Sequence, residues 1–314
     1  MKRFKNILMV CGDLSATEDA FERVRWLAKA NGAMVTLMDI VDAEPGTLAR
    51  MFAALPGARV HEIEDQVLEV HRARLERLAE PLRADGIVVR KTVQQGIPFV
   101  QVIRRVLREN HDLVIKGAQL DADGLLFKGA DMHLLRKCPC PVWIVKSQET
   151  PRSKHILAAV DPNPDETQRH RLSQMVMELA TSLAREDDAK VTVINTWRVQ
   201  EESTLRHGLI KMQESEITSI IEREKEDSAE KLSQLMSGFA DEGIDIRVLH
   251  LKGIAGEIIP EFVRGKNIDT VVMGTVGRTG VAGVFIGNTA ETILNRVACS
   301  VVAVKPPNFT SPVE

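Results

Sequence analysis

The chain repeats itself, and that repeat limits its fold more than any other feature. Lys5-Asn6-Ile7-Leu8-Met9-Val10 returns as Lys154-His155-Ile156-Leu157-Ala158-Ala159-Val160. Val88-Val89-Arg90-Lys91 through Gln95-Gly96-Ile97 parallels Ile246-Arg247-Val248-Leu249 through Lys252-Gly253-Ile254. His111-Asp112-Leu113-Val114-Ile115-Lys116-Gly117 parallels Ile268-Asp269-Thr270-Val271-Val272-Met273-Gly274 at an offset of 157, and Pro141–Lys146 matches Ser300–Lys305. Corresponding blocks in the same order read as a tandem duplication. The joint falls at residues 147–153, a polar stretch with a proline, dividing the chain into domains 1–147 and 154–314.

Each half alternates short β-branched runs with amphipathic segments. In the first half, strands at Ile7–Val10, Met34–Ile40, Val88–Val93 and Leu113–Lys116 are separated by helices over Thr17–Asn31, Glu62–Ala84 and Pro98–Glu109. In the second, strands at Ile156–Val160, Lys190–Asn195, Asp245–Leu251 and Thr270–Met273 alternate with helices over Glu166–Glu186, Leu209–Ala240 and Gly256–Gly265. Each fourth strand precedes a glycine-bearing loop, a helix and a last strand. Nearly all-apolar strands alternating with helices imply a parallel sheet covered on both faces, so two tandem α/β, doubly wound, five-stranded domains are expected. Ligands of such sheets bind at the carboxyl ends of the strands where strand order reverses, here strands one, two and four.

Composition narrows the function. Lys and Arg number 41 against 44 Asp and Glu, a net charge of −3, which argues against a protein built to neutralise nucleic-acid phosphates. Nine Phe, three Trp and no Tyr leave few platforms for stacking bases. No apolar stretch approaches the ~20 residues of a membrane span, and the short apolar run after the basic amino-terminal tip does not read as a secretory leader. Four cysteines, Cys11, Cys138, Cys140 and Cys299, are too few and too uneven for a disulfide framework, so buried, reduced thiols and a cytoplasmic protein are expected.

Chemistry concentrates after the second half's fourth strand, in Gly274-Thr275-Val276-Gly277-Arg278-Thr279-Gly280-Val281-Ala282-Gly283-Val284-Phe285-Ile286-Gly287-Asn288-Thr289. Glycines there allow backbone N–H groups to converge into an oxyanion nest. Asn288 or Thr289 is positioned to cap the following helix, and Arg278 offers a fork to a phosphate oxygen. The alternative is a loop whose glycines only turn the chain. This pattern, with Asp161 at the end of the half's first strand and the closing Val301–Lys305 strand, resembles the universal stress protein family over essentially the whole chain, a fold akin to the adenine nucleotide alpha hydrolases. The resemblance implies a ligand such as ATP, another nucleotide or a nucleotide sugar. It implies a site of Asp161 towards the ribose or base, Thr196 towards adenine through its backbone, and Met273, Gly274, Gly277, Arg278, Gly287, Asn288 and Thr289 around the phosphates. One departure is Asn288, where the nucleotide-binding branch carries Ser or Thr; asparagine still offers an N–H.

The first half departs further. Its loop runs from Gly117 to Asp131 with Leu120 in place of the second glycine, one residue fewer before Gly129, and Asp121, Asp123 and Asp131 where phosphates would lie, partly offset by Lys116 and Lys128. It is expected not to bind. His61, Asp65 and Glu69 share a helical face but read as solvated, and His133 with Cys138 and Cys140 lacks zinc-ligand spacing, so no metal is expected. His170 beside Asp161 has no nucleophile motif for company. No catalytic residues are assigned; the alternatives to a nucleotide-binding regulator are a slow nucleotide hydrolase or nucleotidyl transferase, and a ligand-free interaction module. The apolar runs Val142–Val145 and Val301–Val304 would be aggregation-prone edges if bare, which predicts an intramolecular pseudo-dimer of the two halves, with a further homodimer as an added expectation.

Overall fold

The computed structural model describes residues 3–12, 14–42, 60–119, 127, 129–146, 152–200, 202–207, 212–240, 243–276 and 286–314. The strands of the first half are β1 (Asn6–Cys11), β2 (Met34–Val41), β3 (Val89–Gln95), β4 (Leu113–Gly117) and β5 (Val142–Val145). Its helices are α1 (Leu14–Asn31), α2 (Val60–Ala84), α3 (Pro98–Glu109) and α4 (Gly129–Lys137). The second half has strands β6 (His155–Ala159), β7 (Lys190–Trp197), β8 (Ile246–Lys252), β9 (Thr270–Gly274) and β10 (Ser300–Val304). Its helices are α5 (Thr167–Asp187), α6 (Glu202–His207), α7 (Glu214–Ser237), α8 (Ala255–Lys266) and α9 (Asn288–Leu294).

These strands form one ten-stranded sheet in the order β3-β2-β1-β4-β5-β10-β9-β6-β7-β8. Pairing within each half is parallel throughout. The halves join antiparallel, Val301 facing Ile144, Val302 facing Trp143 and Ala303 facing Val142. The two strand runs expected to be hazardous edges therefore cover each other. The sheet's actual edges, β3 and β8, carry exposed charge, Arg90 and Lys91 on one and Arg247 and Lys252 on the other, a usual guard against edge-to-edge pairing.

Strand side chains alternate between two cores because successive Cβ atoms point to opposite faces. Ile7 and Met9 of β1 join Val24 and Leu27 of α1, Leu75 and Leu82 of α2, Leu179 and Leu183 of α5 and Leu232 of α7 on one face. Leu8 and Val10 join Ile103 of α3, Leu135 of α4, Ile259 of α8 and Leu294 of α9 on the other. Each core runs through both halves.

The repeat is carried by hydrogen bonds as well as by apolar spacing. The Asp112 carboxylate accepts the N–H groups of Lys5 (2.6 Å) and Asn6 (3.1 Å), and Asp269 accepts those of Lys154 (2.7 Å) and His155 (2.8 Å), tying strand starts together in the same way twice. Gly96 and Gly253, at φ +123° and +141°, turn the chain into α3 and α8 in a conformation side chains rarely adopt.

Three expectations need correction. The helix expected over Leu209–Ala240 begins at Glu214, where Glu216 accepts the Gln213 N–H at 2.8 Å, and a separate short α6 precedes it. The joint is not wholly a solvated linker: Ser153 is buried, donates its N–H to Asp187 (3.0 Å) and shares a hydroxyl hydrogen bond with Thr270 (2.8 Å); residues 147–151 lie outside the described ones. Of the four thiols, Cys140 is only partly buried.

Asp187 is also where the halves lock together on the α1/α5 face. Arg23 of α1 donates to it at 2.8 Å, both side chains are withdrawn from solvent, and the guanidinium lies over the Trp143 ring at 4.2 Å. Removing one member of such a pair strands the other charge in the core. Asp187→Ala is expected to lower the unfolding free energy by about 3–5 kcal/mol, measured by urea denaturation, and to separate unfolding into two transitions.

His111 supplies a second test. Its side chain is wholly buried beside the second core, at the position where the other half has Ile268. Burial lowers its proton affinity, as it does for His155. The unfolded chain therefore binds these protons more readily, and stability present above about pH 6.5 is lost as pH falls. His111→Ile should flatten that acid-side loss in thermal melts from about pH 7 to 5.

Candidate functional site

The carboxyl ends of β9, β6 and β7 lie side by side, and the expected site residues sit on them. Met273 pairs with Ala159 of β6 and Ala303 of β10, and is buried; Gly274 closes β9. Asp161 follows β6, its N–H donating to Ser173 Oγ (3.2 Å) and its exposed carboxylate paired with Arg169 at 2.8 Å. Burial alone would lower the proton affinity of Arg169, but the Asp161 and Glu166 carboxylates outweigh it and raise it, so the cation is fixed. Thr196, half-buried near the end of β7, pairs with Leu251 of β8.

The loop after β9 has a closed neck. Val276 and Ile286 form an antiparallel bridge, and the Gly287 N–H donates to Thr275 O at 3.1 Å. Gly277 and Arg278, with the rest of 277–285, lie outside the described residues. Gly287 is itself the N-cap of α9, with no side-chain cap; Asn288 and Thr289, expected as caps, are instead exposed on the helix's first turn. Gly274 lies under a close approach that an added side chain would have to displace. A Cβ there would lie 2.5 Å from Leu172 Cδ2 of α5, so the bare strand end is what lets α5 lie across it.

The matching positions of the first half are built from charge. Lys116, in the place of Met273, is buried with its ammonium 2.8 Å from Asp131 and 3.0 Å from Gly117 O, and Asp131 accepts the Gln119 N–H at 2.8 Å. Asp131 is thus not a carboxylate facing a phosphate space, as its sequence position suggests, but half of a buried ion pair. Leu120, Asp121, Asp123 and Lys128 lie outside the described residues.

Sequence reasoning missed a second polar group in this half. Asp39, buried at the end of β2 opposite Cys11, accepts from His71 Nδ1 at 2.7 Å, with Arg74 Nη1 3.7 Å away; Arg74 also donates to Gly12 O. Burial, then the Asp39 charge, pushes the Cys11 thiol up to about 12. At the matching sites Asn195 donates to Val160 O (3.1 Å) and accepts from Ser228 (3.2 Å), which in turn accepts from His250 (3.0 Å). The available signal was Asp39 itself, a carboxylate inside an otherwise apolar strand run. Elsewhere, Asp65 and Glu69 are exposed, His133 stacks on Phe99 at 4.4 Å rather than turning to the cysteines, and the side chain of His61 lies outside the described residues. Among the described residues no group of three or more His, Cys, Asp or Glu could hold a metal ion, and no helix is long and apolar enough to cross a membrane.

The family model described as the universal stress protein family matches twice, over residues 3–146 and 152–305. The chain belongs to the universal stress protein family. Universal stress protein E of Escherichia coli strain K12 is 32% identical over 228 residues, 71% of this chain and 70% of the relative. The protein of that name from Photorhabdus laumondii is 25% identical over 100% of this chain and 99% of its own. Among solved structures, a functionally unknown protein from Pseudomonas aeruginosa PAO1 matches with a TM-score of 0.74 at 22% identity, covering 98% of this chain and 94% of that one. A universal stress protein from Archaeoglobus fulgidus matches with a TM-score of 0.64 at 16% identity, over 96% and 98% of the two chains. Two universal stress domains in tandem thus account for the fold.

The contact between Gly274 and Leu172 makes a direct test. Gly274→Ala should cost about 1–3 kcal/mol through overpacking, and adding Leu172→Ala should recover part of that loss. Melting of the single and double variants measures the coupling.

Proposed function

We propose that the second universal stress domain binds a nucleotide or a nucleotide-bearing metabolite, ATP or a nucleotide sugar among them, with the first domain as scaffold, in a cytoplasmic stress-response regulator. The observation that carries this reading is the contrast between matching strand ends. In the first half the end of β4 is filled by the buried Lys116–Asp131 pair. In the second the matching residue is the uncharged Met273, and the strand, which closes on a glycine as β4 does, leads through a closed neck into the glycine loop. A backbone without side chains suits close approach to phosphate oxygens. Asp161, held by Arg169 and partly open to solvent, would accept ribose hydroxyls, and the end of β7 at Thr196 would present backbone groups to the base.

Ligand-dependent melting of the full chain tests the reading. At a ligand concentration a hundredfold above its dissociation constant, one site adds about 2.7 kcal/mol of stability. Gly277→Leu, which installs the residue the first half carries at Leu120, should abolish that gain. Leu120→Gly should create none, because that loop is still one residue short and still holds Asp121 and Asp123. No shift with ATP, ADP or a nucleotide sugar in the wild type, or a shift that survives Gly277→Leu, overturns the assignment.

A further inference from the structure

Between α4 and β5 the chain reads Lys137-Cys138-Pro139-Cys140-Pro141. The backbone bends at Pro139 and Cys140, and two prolines with fixed φ stiffen the turn. Cys138 is fully buried, Cys140 is partly open, and their sulfurs are 3.7 Å apart, in a hydrogen bond. The last turn of α4, three residues before Cys138, is held by a buried lysine of the other half. Lys305, just past the end of β10, donates to Leu135 O of α4 and to Thr275 Oγ1. Nothing in the nucleotide reading uses either cysteine.

We infer that Cys138 and Cys140 form a reversible dithiol–disulfide site, oxidised by small-molecule disulfides, with Cys140 as the entry sulfur and Lys305 as a positioning residue against the last turn of α4. The geometry suits it in three ways. Cys140 is the less buried residue of the two, so approach from solvent falls on it rather than on Cys138. The partner sulfur is already in contact, so the second step needs only side-chain rotations that close the sulfurs from 3.7 Å to a ~2.05 Å bond. The turn keeps the two together in the reduced state as well. In the exchange, Cys140 loses its proton and attacks one sulfur of glutathione disulfide, releasing one glutathione thiolate. Cys138 then loses its proton and attacks Cys140 Sγ, releasing the second. The two cysteine thiols are oxidised, the external disulfide is reduced to two thiols, and the two protons end on the glutathiones.

The hydrogen bond to Cys138, and then burial, hold the Cys140 proton well above the usual thiol range, so oxidation is slow at neutral pH and speeds up as pH rises. Burial pushes Lys305 down to about 7, and the charges that pull it back up are those of Cys138 and Cys140. Lys305 therefore exchanges its proton near neutrality, hydrogen-bonded to the carbonyl three residues before Cys138. Burial also pushes the thiols of Cys11 and Cys299 up to about 12.

The test uses the full chain, first fully reduced, then equilibrated with glutathione disulfide, denatured, treated with maleimide and weighed. The expected product has lost two hydrogens, carries maleimide on two of its four cysteines and yields a linked peptide spanning Cys138 and Cys140. Dithiothreitol should restore four reactive thiols. Cys138→Ala and Cys140→Ser should each abolish the linked product; a mixed disulfide with glutathione at Cys140 is the expected product of Cys138→Ala. Lys305→Met should slow oxidation at neutral pH by about threefold or more and move the pH–rate profile upward. Four free thiols after equilibration, or glutathione attached in the wild type without the internal link, overturns the site. An unchanged pH–rate profile in Lys305→Met overturns the role of the lysine alone.

Discussion

The antiparallel pairing of β5 with β10 is the constraint on which the rest of this molecule depends. Both strands are buried from end to end, so neither half can present its last strand to water without leaving a bare apolar edge. Pairing the two satisfies their backbone groups and makes one sheet of two. It also aligns the helices on each face, so that α1 meets α5 through Arg23 and Asp187, and α4 meets α9 through Arg136 and Glu291. Two lysines at matching positions just after these strands repeat the same device. Lys146 donates to Val297 O, beyond the end of α9, and Lys305 to Leu135 O near the end of α4. Each cation thus crosses the join to carbonyls near the carboxyl end of the opposing helix, where the helix dipole favours positive charge.

Local symmetry of the backbone coexists with asymmetry of side chains at the strand ends. Asp112 and Asp269 do the same work in both halves, as do Gly96 and Gly253. At the ends of β2 and β7, however, a charged Asp39–His71–Arg74 group stands opposite a neutral Asn195–Ser228–His250 chain. At the ends of β4 and β9, a Lys116 paired with Asp131 stands opposite an uncharged Met273, each followed by a glycine. The scaffold is duplicated; the chemistry is not.

Most of the fold was legible because its signals are local. Apolar runs such as Leu113–Ile115 and Thr270–Val272 mark strands buried on both sides, and the ordered repeat fixes the topology of one half from the other. What was not legible depends on contacts far apart in sequence. Nothing local distinguishes the helix-interior His71 from a solvated histidine; its role comes from Asp39, 32 residues away. Asp131 looks like a carboxylate in a phosphate space until Lys116 is found beside it. Gly287, not Asn288, caps α9, because the neck formed by Val276 and Ile286 sets where the helix begins. Ser153 reads as part of a polar linker, yet it is buried because Asp187 and Thr270 both need its hydrogen bonds.

Joining the halves in one chain has a consequence for how such a molecule can change. In an assembly of two identical chains, every substitution appears twice, so a lysine placed at one strand end also enters the other. Here position 116 is lysine and position 273 methionine, position 120 is leucine and position 277 glycine. The covalent link makes each half separately heritable while the shared sheet keeps them physically inseparable. One copy is free to place a charge pair such as Lys116–Asp131 at a strand end while the other keeps an uncharged methionine there.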